Sequence, residues 1–149
     1  MPLRPEAIVE ALLRRAQAGL PGLLGLQVVD ATASALQMRL PIEPKLLAPN
    51  GYLHAASVIG LADTVCGFAC MVNLPPGAHS FTTIELKANF LGTATEGSLV
   101  ATARPIHRGR TTQVWDASVS HVESGRSIAE FRCTQLVLWP KADRQEATE

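Results

Sequence analysis

Apolar side chains first recur with helical spacing. Ile8, Val9, Leu12, Leu13 and Ala16 form one stripe across residues 5–18, the mark of an amphipathic helix. Glu6 and Glu10 near its start, and Arg14 and Arg15 near its end, suit the helix dipole. Gly19, followed by Pro21-Gly22, predicts the stop. From Leu26 to Ile42, the apolar Val28, Val29, Leu36, Met38 and Leu40 predict two strands around a turn near Ala31–Ser34. In the second strand Gln37 and Arg39 alternate with apolar neighbours. Pro44, Pro49, Asn50 and Gly51 predict a loop over 43–53.

Residues 55–72 read differently. Most are apolar and no narrow stripe exists, so the pattern predicts a helix buried nearly all round. A membrane span fits poorly, because the run is short and Asp63 at its centre would cost a few kcal/mol in lipid. Asn73-Leu-Pro-Pro-Gly77 ends it. The period then falls to two: Ile84, Leu86, Ala88 and Phe90 alternate with Glu85, Lys87 and Asn89, predicting a half-buried strand. Ser98–His107, Thr111–Val122 and Ser127–Trp139 follow as longer strands. Arg108-Gly109-Arg110 and Glu123-Ser124-Gly125-Arg126 separate them as turns with glycine at the strained position. Pro140–Glu149 carries no large apolar group and is expected to be loose. The expected architecture is α+β, one domain over 1–139, ending in a four-stranded antiparallel meander. A sheet of about six strands would curl around the buried helix, and its free edge would be protected most simply by dimerisation.

Composition narrows the classes. The chain has 149 residues, 47% of them hydrophobic and 17% charged, with 13 basic and 13 acidic side chains. That excludes a disordered chain, and the lack of a basic excess argues against nucleic acid as a partner. Three cysteines are too few and too odd in number for a disulfide framework, and Met1-Pro-Leu-Arg-Pro lacks an apolar leader core. A cytoplasmic protein is the expectation.

Asp63 is the one charged residue between Lys45 and Glu85, and a buried carboxylate is expensive unless it has partners or a task. Gly60 and Gly67, at i−3 and i+4, share its helix face. They either leave room for a ligand or let a neighbouring element approach closely. Asn50-Gly-Tyr-Leu-His54 leads into the helix, whose first N–H groups can hold an oxyanion. His54 and Asp63 are nine residues apart, on opposite sides of a helix, so they form no dyad within one chain. His54 on its own reads as a cap. His107-Arg-Gly-Arg110, with Arg104 nearby, is either a phosphate site or a solvated hairpin tip. Cys66 and Cys70 read as core, and His79 and His121 lack spaced partners, so no metal site is expected.

Asn50-Gly-Tyr-Leu-His54-Ala-Ala-Ser-Val-Ile-Gly-Leu-Ala-Asp63-Thr64 resembles the signature of hotdog-fold acyl-CoA thioesterases of the phenylacetate-pathway type. That pattern runs Asn, a few residues, His-Gly-Gly, an apolar stretch and Leu-x-Asp-Thr. The likeness extends over roughly residues 24–139. It implies a long central helix wrapped by a curled antiparallel sheet, a homodimer or homotetramer, and hydrolysis of an acyl-CoA thioester, with CoA part of the substrate and no cofactor. By the same resemblance, Asp63 is the general base or nucleophile, and Asn50 contacts the thioester or water from the facing subunit. The Ala55 N–H polarises the carbonyl beside His54, and Thr83 orients water. Arg108 and Arg110 lie near the CoA phosphates by this resemblance, and Arg104, close by in sequence, is a further candidate for them. This chain departs in having His54-Ala55-Ala56 for His-Gly-Gly; the donor is a backbone group, which Ala55 retains. Phe68, Phe81 and Phe90 are available as acyl walls. A non-catalytic acyl-CoA-binding or sensing domain is the alternative. A hydratase ranks last, because Asp63 has no histidine at the short spacing such a pair needs.

Overall fold

The structure, a computed structural model, describes residues 5–141. The expected loose tail lies, from position 142 on, outside the described residues. The first helix, α1, is Pro5–Ala16, with Leu12 and Ala16 buried. The predicted stop is instead a turn into a second, short helix, α2, Gly19–Leu24. Pro21 sits in its first turn, where a missing N–H is harmless. A Cβ on Gly22 would lie 2.2 Å from the Gln17 carbonyl oxygen, so glycine permits the tight junction with α1. Gly25, at φ 74°, ends the helix in the left-handed region.

The hairpin follows as β1, Gln27–Ala31, and β2, Leu36–Pro41. Leu36, Met38 and Leu40 are fully buried, so the predicted alternation holds. The loop over 43–53 contains a 3₁₀ turn at Pro44–Leu46 and one bridge between Leu47 and Leu53. Helix α3 spans Ala55–Val72. His54 caps it, its Nδ1 accepting from the Ala56 N–H at 2.9 Å, and Ser57 Oγ ties the first turn to the Leu46 carbonyl at 2.8 Å.

Strand β3 is Ser80–Phe90, β4 Ser98–Arg108, β5 Thr112–His121 and β6 Ser127–Leu138. All six strands form one antiparallel sheet in the order β1-β2-β4-β5-β6-β3. The four-stranded meander expected from the sequence is therefore three-stranded, since β3 lies beyond β6 at the far edge. Length explains this. An 18-residue helix is about 27 Å long, enough to carry the chain over the roughly 19 Å from β2 to the opposite edge. Segment 91–97 then returns to β4 and binds as it goes, with Leu91 N–H to the Ile128 carbonyl, Leu53 N–H to Ala94 and Ile42 N–H to Gly97. Glu123 Oε2 holds the end of this segment by accepting from the Ser98 N–H at 3.0 Å and pairing with His121. The sheet stays open, with β1 and β3 as its edges.

Two burial expectations change. The sheet covers α3 on one side, burying Val58, Leu61, Ala62, Val65, Cys66, Ala69 and Cys70, whereas Ile59, Gly60, Asp63, Thr64, Phe68 and Met71 form a face only partly covered. Strand β3 does not half-bury its apolar row either. Ile84, Leu86 and Phe90 are 55%, 40% and 46% exposed. A bulge between Thr83 and Glu85 breaks the alternation there, and below it Leu86, Ala88 and Phe90 pair with Cys133, Phe131 and Ala129 on the helix side of the sheet. They face inward on the half of β3 beyond the bulge, which α3 does not cover. Gly109 is likewise not at a positive φ. Glycine suits the position because a Cβ would lie 2.9 Å from the Thr112 carbonyl oxygen of the same turn.

Candidate active site

Asp63 stands mid-helix on the partly covered face of α3. Its Oδ1 accepts from Thr83 Oγ1 at 3.1 Å, across from β3. Burial pushes its pKa up, and the Thr83 hydrogen bond offsets part of that rise. The carboxylate is thus held by one contact in a poorly hydrated position, with Oδ2 unclaimed by any described residue.

The flanking glycines serve close approach. A Cβ on Gly60 would lie 2.6 Å from Leu24 Cδ1 of α2, and one on Gly67 would lie 3.1 Å from the Phe81 ring of β3. Leu24 and Phe81 therefore sit against the helix on either side of Asp63, one turn before and one turn after it. The glycines do not leave the carboxylate open along the helix; they admit the side chains that bound it. Phe68 on α3 and Phe81 of β3 beside it are half-buried, and Phe90 lies exposed on the β3 edge.

Beneath Thr83 lies a feature that sequence reasoning missed. Gln135 of β6 is fully buried, with its Oε1 2.9 Å from Thr83 Oγ1 and its Nε2 3.3 Å from Cys133 Sγ. Its neighbour across the sheet, Gln113, is also buried, accepting from Trp115 Nε1 and donating to the Asn73 carbonyl. The signal was present: Phe131, Cys133 and Val137 are the apolar inward row of β6, and Gln135 interrupts it with an amide. Cys66 and Cys70 are buried as expected. Burial pushes the Cys70 thiol up to about 12, and contact with Cys133 is the main cause that raises Cys66.

The other predicted residues lie apart from Asp63. The start of α3 is exposed. The Ala55 N–H has no acceptor among the described residues, while the Ala56 N–H is taken by His54. Eight residues separate Ala55 from Asp63, about 12 Å along the axis, so one chain does not bring both to a single carbonyl. Asn50 is exposed, and its Oδ1 accepts from the Tyr52 N–H, closing a turn. Arg108 reaches the other end of α3, donating to Asn73 Oδ1 at 3.0 Å and to the Ala33 carbonyl at 3.4 Å. Arg110 stacks 4.4 Å over Trp139. Arg104 does not join them. It is opposite Asp116 on the sheet face away from α3, where Asp116 pairs with Arg132.

Comparison with known proteins gives a consistent result. The family profile of the thioesterase superfamily matches residues 50–133. A 1,4-dihydroxy-2-naphthoyl-CoA hydrolase of Listeria monocytogenes is 29% identical over 119 residues, covering 80% of this chain and 95% of that one. Among solved structures, a mutant thioesterase from Pseudomonas aeruginosa superposes with a TM-score of 0.84 at 28% identity, covering 93% of this chain and 99% of that chain. A Haemophilus influenzae thioesterase at 23% identity, TM-score 0.86, covers 97% and 100% and supports the fold.

The raised pKa of Asp63 has a stability consequence. Its ordinary value is 3.8. Because the folded value lies higher, the native state binds more protons than the unfolded state between the two, and stability falls as pH rises through that window. Asp63→Asn keeps an acceptor for Thr83 and removes the charge. The melting-temperature gain of Asp63→Asn over wild type should therefore be larger at about pH 7.5 than at about pH 4. A gain that shrinks on going to pH 7.5 would contradict desolvation as the dominant cause.

Proposed function

The chain belongs to the thioesterase superfamily with the hotdog fold, and we propose that it hydrolyses an acyl-CoA thioester at Asp63. The observation that carries this reading is the half-buried carboxylate of raised pKa, bounded by Leu24 and Phe81 and held by Thr83. With Oδ1 fixed, Oδ2 acts as general base on a water, or as nucleophile on the carbonyl carbon. The thioester and one water give the free acid and the CoA thiol. The developing oxyanion needs a donor, and the Ala55 N–H at the start of α3 supplies one. Since these groups are about 12 Å apart within a chain, the active site pairs Asp63 of one copy with the helix start of another. Asn50 and His54 come from that second copy, and Thr83 stays with Asp63. The exposed inward-facing Leu86 and Phe90 at the β3 edge suit such a contact.

The nucleotide end of CoA is assigned to Arg108 and Arg110. Asn73, which Arg108 touches, is ten residues from Asp63, about 15 Å along the helix, a distance a pantetheine arm can bridge. Each guanidinium keeps N–H donors beyond those used within the chain. Arg104, on the far face, is a weaker candidate for the same role. The reaction takes place in the cytoplasm, a setting that suits three free cysteines.

The test is release of CoA thiol from a panel of acyl-CoAs. Asp63→Asn and Asp63→Ala should fall below about a tenth of wild type; higher residual hydrolysis would exclude Asp63 as base or nucleophile. Binding of acyl-CoA by the wild type without thiol release would favour a sensing domain instead. The composite site requires a light-scattering mass of at least twice 15.9 kDa, and a monomer active at micromolar concentration would overturn it. Truncating Arg108 and Arg110 together to Ala should raise KM by a similar factor for every acyl-CoA at nearly constant kcat. An unchanged KM would return the turn to a solvated hairpin tip.

A further inference from the structure

The hydrogen bonds around Thr83 do not add up for a fixed set of protons. Its hydroxyl has one hydrogen, yet two acceptors face it, Asp63 Oδ1 at 3.1 Å and Gln135 Oε1 at 2.9 Å. With Asp63 ionised, the hydroxyl must donate to the carboxylate. Gln135 then meets Thr83 oxygen to oxygen unless its amide turns to present Nε2. With Asp63 protonated, the carboxyl can donate to Thr83 Oγ1, Thr83 to Gln135 Oε1, and Gln135 Nε2 to Cys133 Sγ, the last at 3.3 Å. In the turned arrangement Oε1 takes the place of Nε2 beside Cys133, whose thiol can donate to it, so both arrangements can satisfy every member, and they differ by one amide rotation of a side chain with no exposure to water.

We infer that Gln135 is a positioning residue that turns its amide to match the protonation state of Asp63, acting through the Thr83 hydroxyl. A carboxylate that takes a proton from water and later returns it passes through both states, and a rigid acceptor beside Thr83 would favour one of them. Gln135 lets the contact persist through the cycle. Nothing else nearby does this. α2 contributes Leu24 and no titratable group. On β3, Glu85 reaches Thr134 and Lys87 is exposed. On β6, Cys133 lies next to Gln135, while Glu130 and Arg132 pair with β5 side chains. Cys66 on α3 is held neutral by its contact with Cys133 and by burial, and the Asp116–Arg132 pair lies across the sheet.

The inference rests on Asp63 as the working carboxylate, and its test does not depend on turnover. The Asp63 carboxyl carbon is followed by ¹³C NMR of aspartate-labelled protein, identified by its loss in Asp63→Asn. Thr83→Val removes the donor to the ionised form and should move the Asp63 midpoint to higher pH. Gln135→Met removes the amide that serves Thr83 in both arrangements, so it should move the midpoint much less than Thr83→Val does. In wild type, the Gln135 side-chain amide resonances should shift with the same midpoint as Asp63, which needs no variant to fold. Where hydrolysis is measured, Gln135→Met should lower kcat with KM held. A Gln135→Met shift as large as that of Thr83→Val, or Gln135 resonances that stay flat through the Asp63 titration, would overturn the assignment. A full NMR response from a protein that releases no CoA would leave Gln135 in place and remove the hydrolytic function.

Discussion

Everything in this fold depends on covering one helix. Residues 55–72 are apolar on every side, and such a helix is stable in water only when neighbours remove it from solvent. The sheet does so from one side, with Leu61, Val65, Cys66 and Cys70 against Leu40, Leu99, Trp115 and Phe131. Burial at roughly 25 cal/mol per Å² of apolar surface makes this contact stabilising. The same requirement explains the strand order. Because the helix crosses the whole sheet, the strand after it must start at the opposite edge, and segment 91–97 must come back.

What the sheet leaves uncovered is the chemically useful part. Asp63 lies on the open face, where its carboxylate is neither fully hydrated nor sealed in, and desolvation outweighs the one hydrogen bond from Thr83. A carboxylate in that condition is a stronger base than one in water. Gly60 and Gly67 each cost helix stability relative to alanine. In return Leu24 and Phe81 can seat directly on the helix, giving the carboxylate fixed walls one turn away on both sides.

The polar row Thr83–Gln135–Gln113 runs under this face across three neighbouring strands. Buried amides are tolerable only when their donors and acceptors are occupied. Gln113 meets that condition by bridging Trp115 to the carbonyl of the helix cap residue Asn73. Gln135 meets it through Thr83, one bond from the carboxylate. One end of the row thus anchors the helix terminus, and the other touches the site.

Much of this was legible in the residues alone. The limits of the long helix, the alternation of Leu36, Met38 and Leu40, the lone Asp63 and the capping role of His54 all follow from local spacing and chemistry, which tertiary context did not override. Other features depended on which elements meet. Pro21 and Gly22 read as breakers, and only the packing of Leu24 on Gly60 shows why a short helix forms there. The alternation of β3 predicted half-burial, yet α3 covers only the first half of the strand, at Phe81 and Thr83, and leaves Leu86 and Phe90 uncovered. Arg104 is close to Arg108 in sequence but lies on the opposite face of the sheet. Periodicity reports which side chains share a face of their own element; what lies against that face, and which polar group meets Asp63, is set by contacts between residues as far apart as Asp63, Thr83 and Gln135. The sequence by itself determined the long helix, the strands and the carboxylate, and the tertiary structure alone decided the short helix α2 and the partners of that carboxylate, because hydrogen bonds and close packing depend on distance in space.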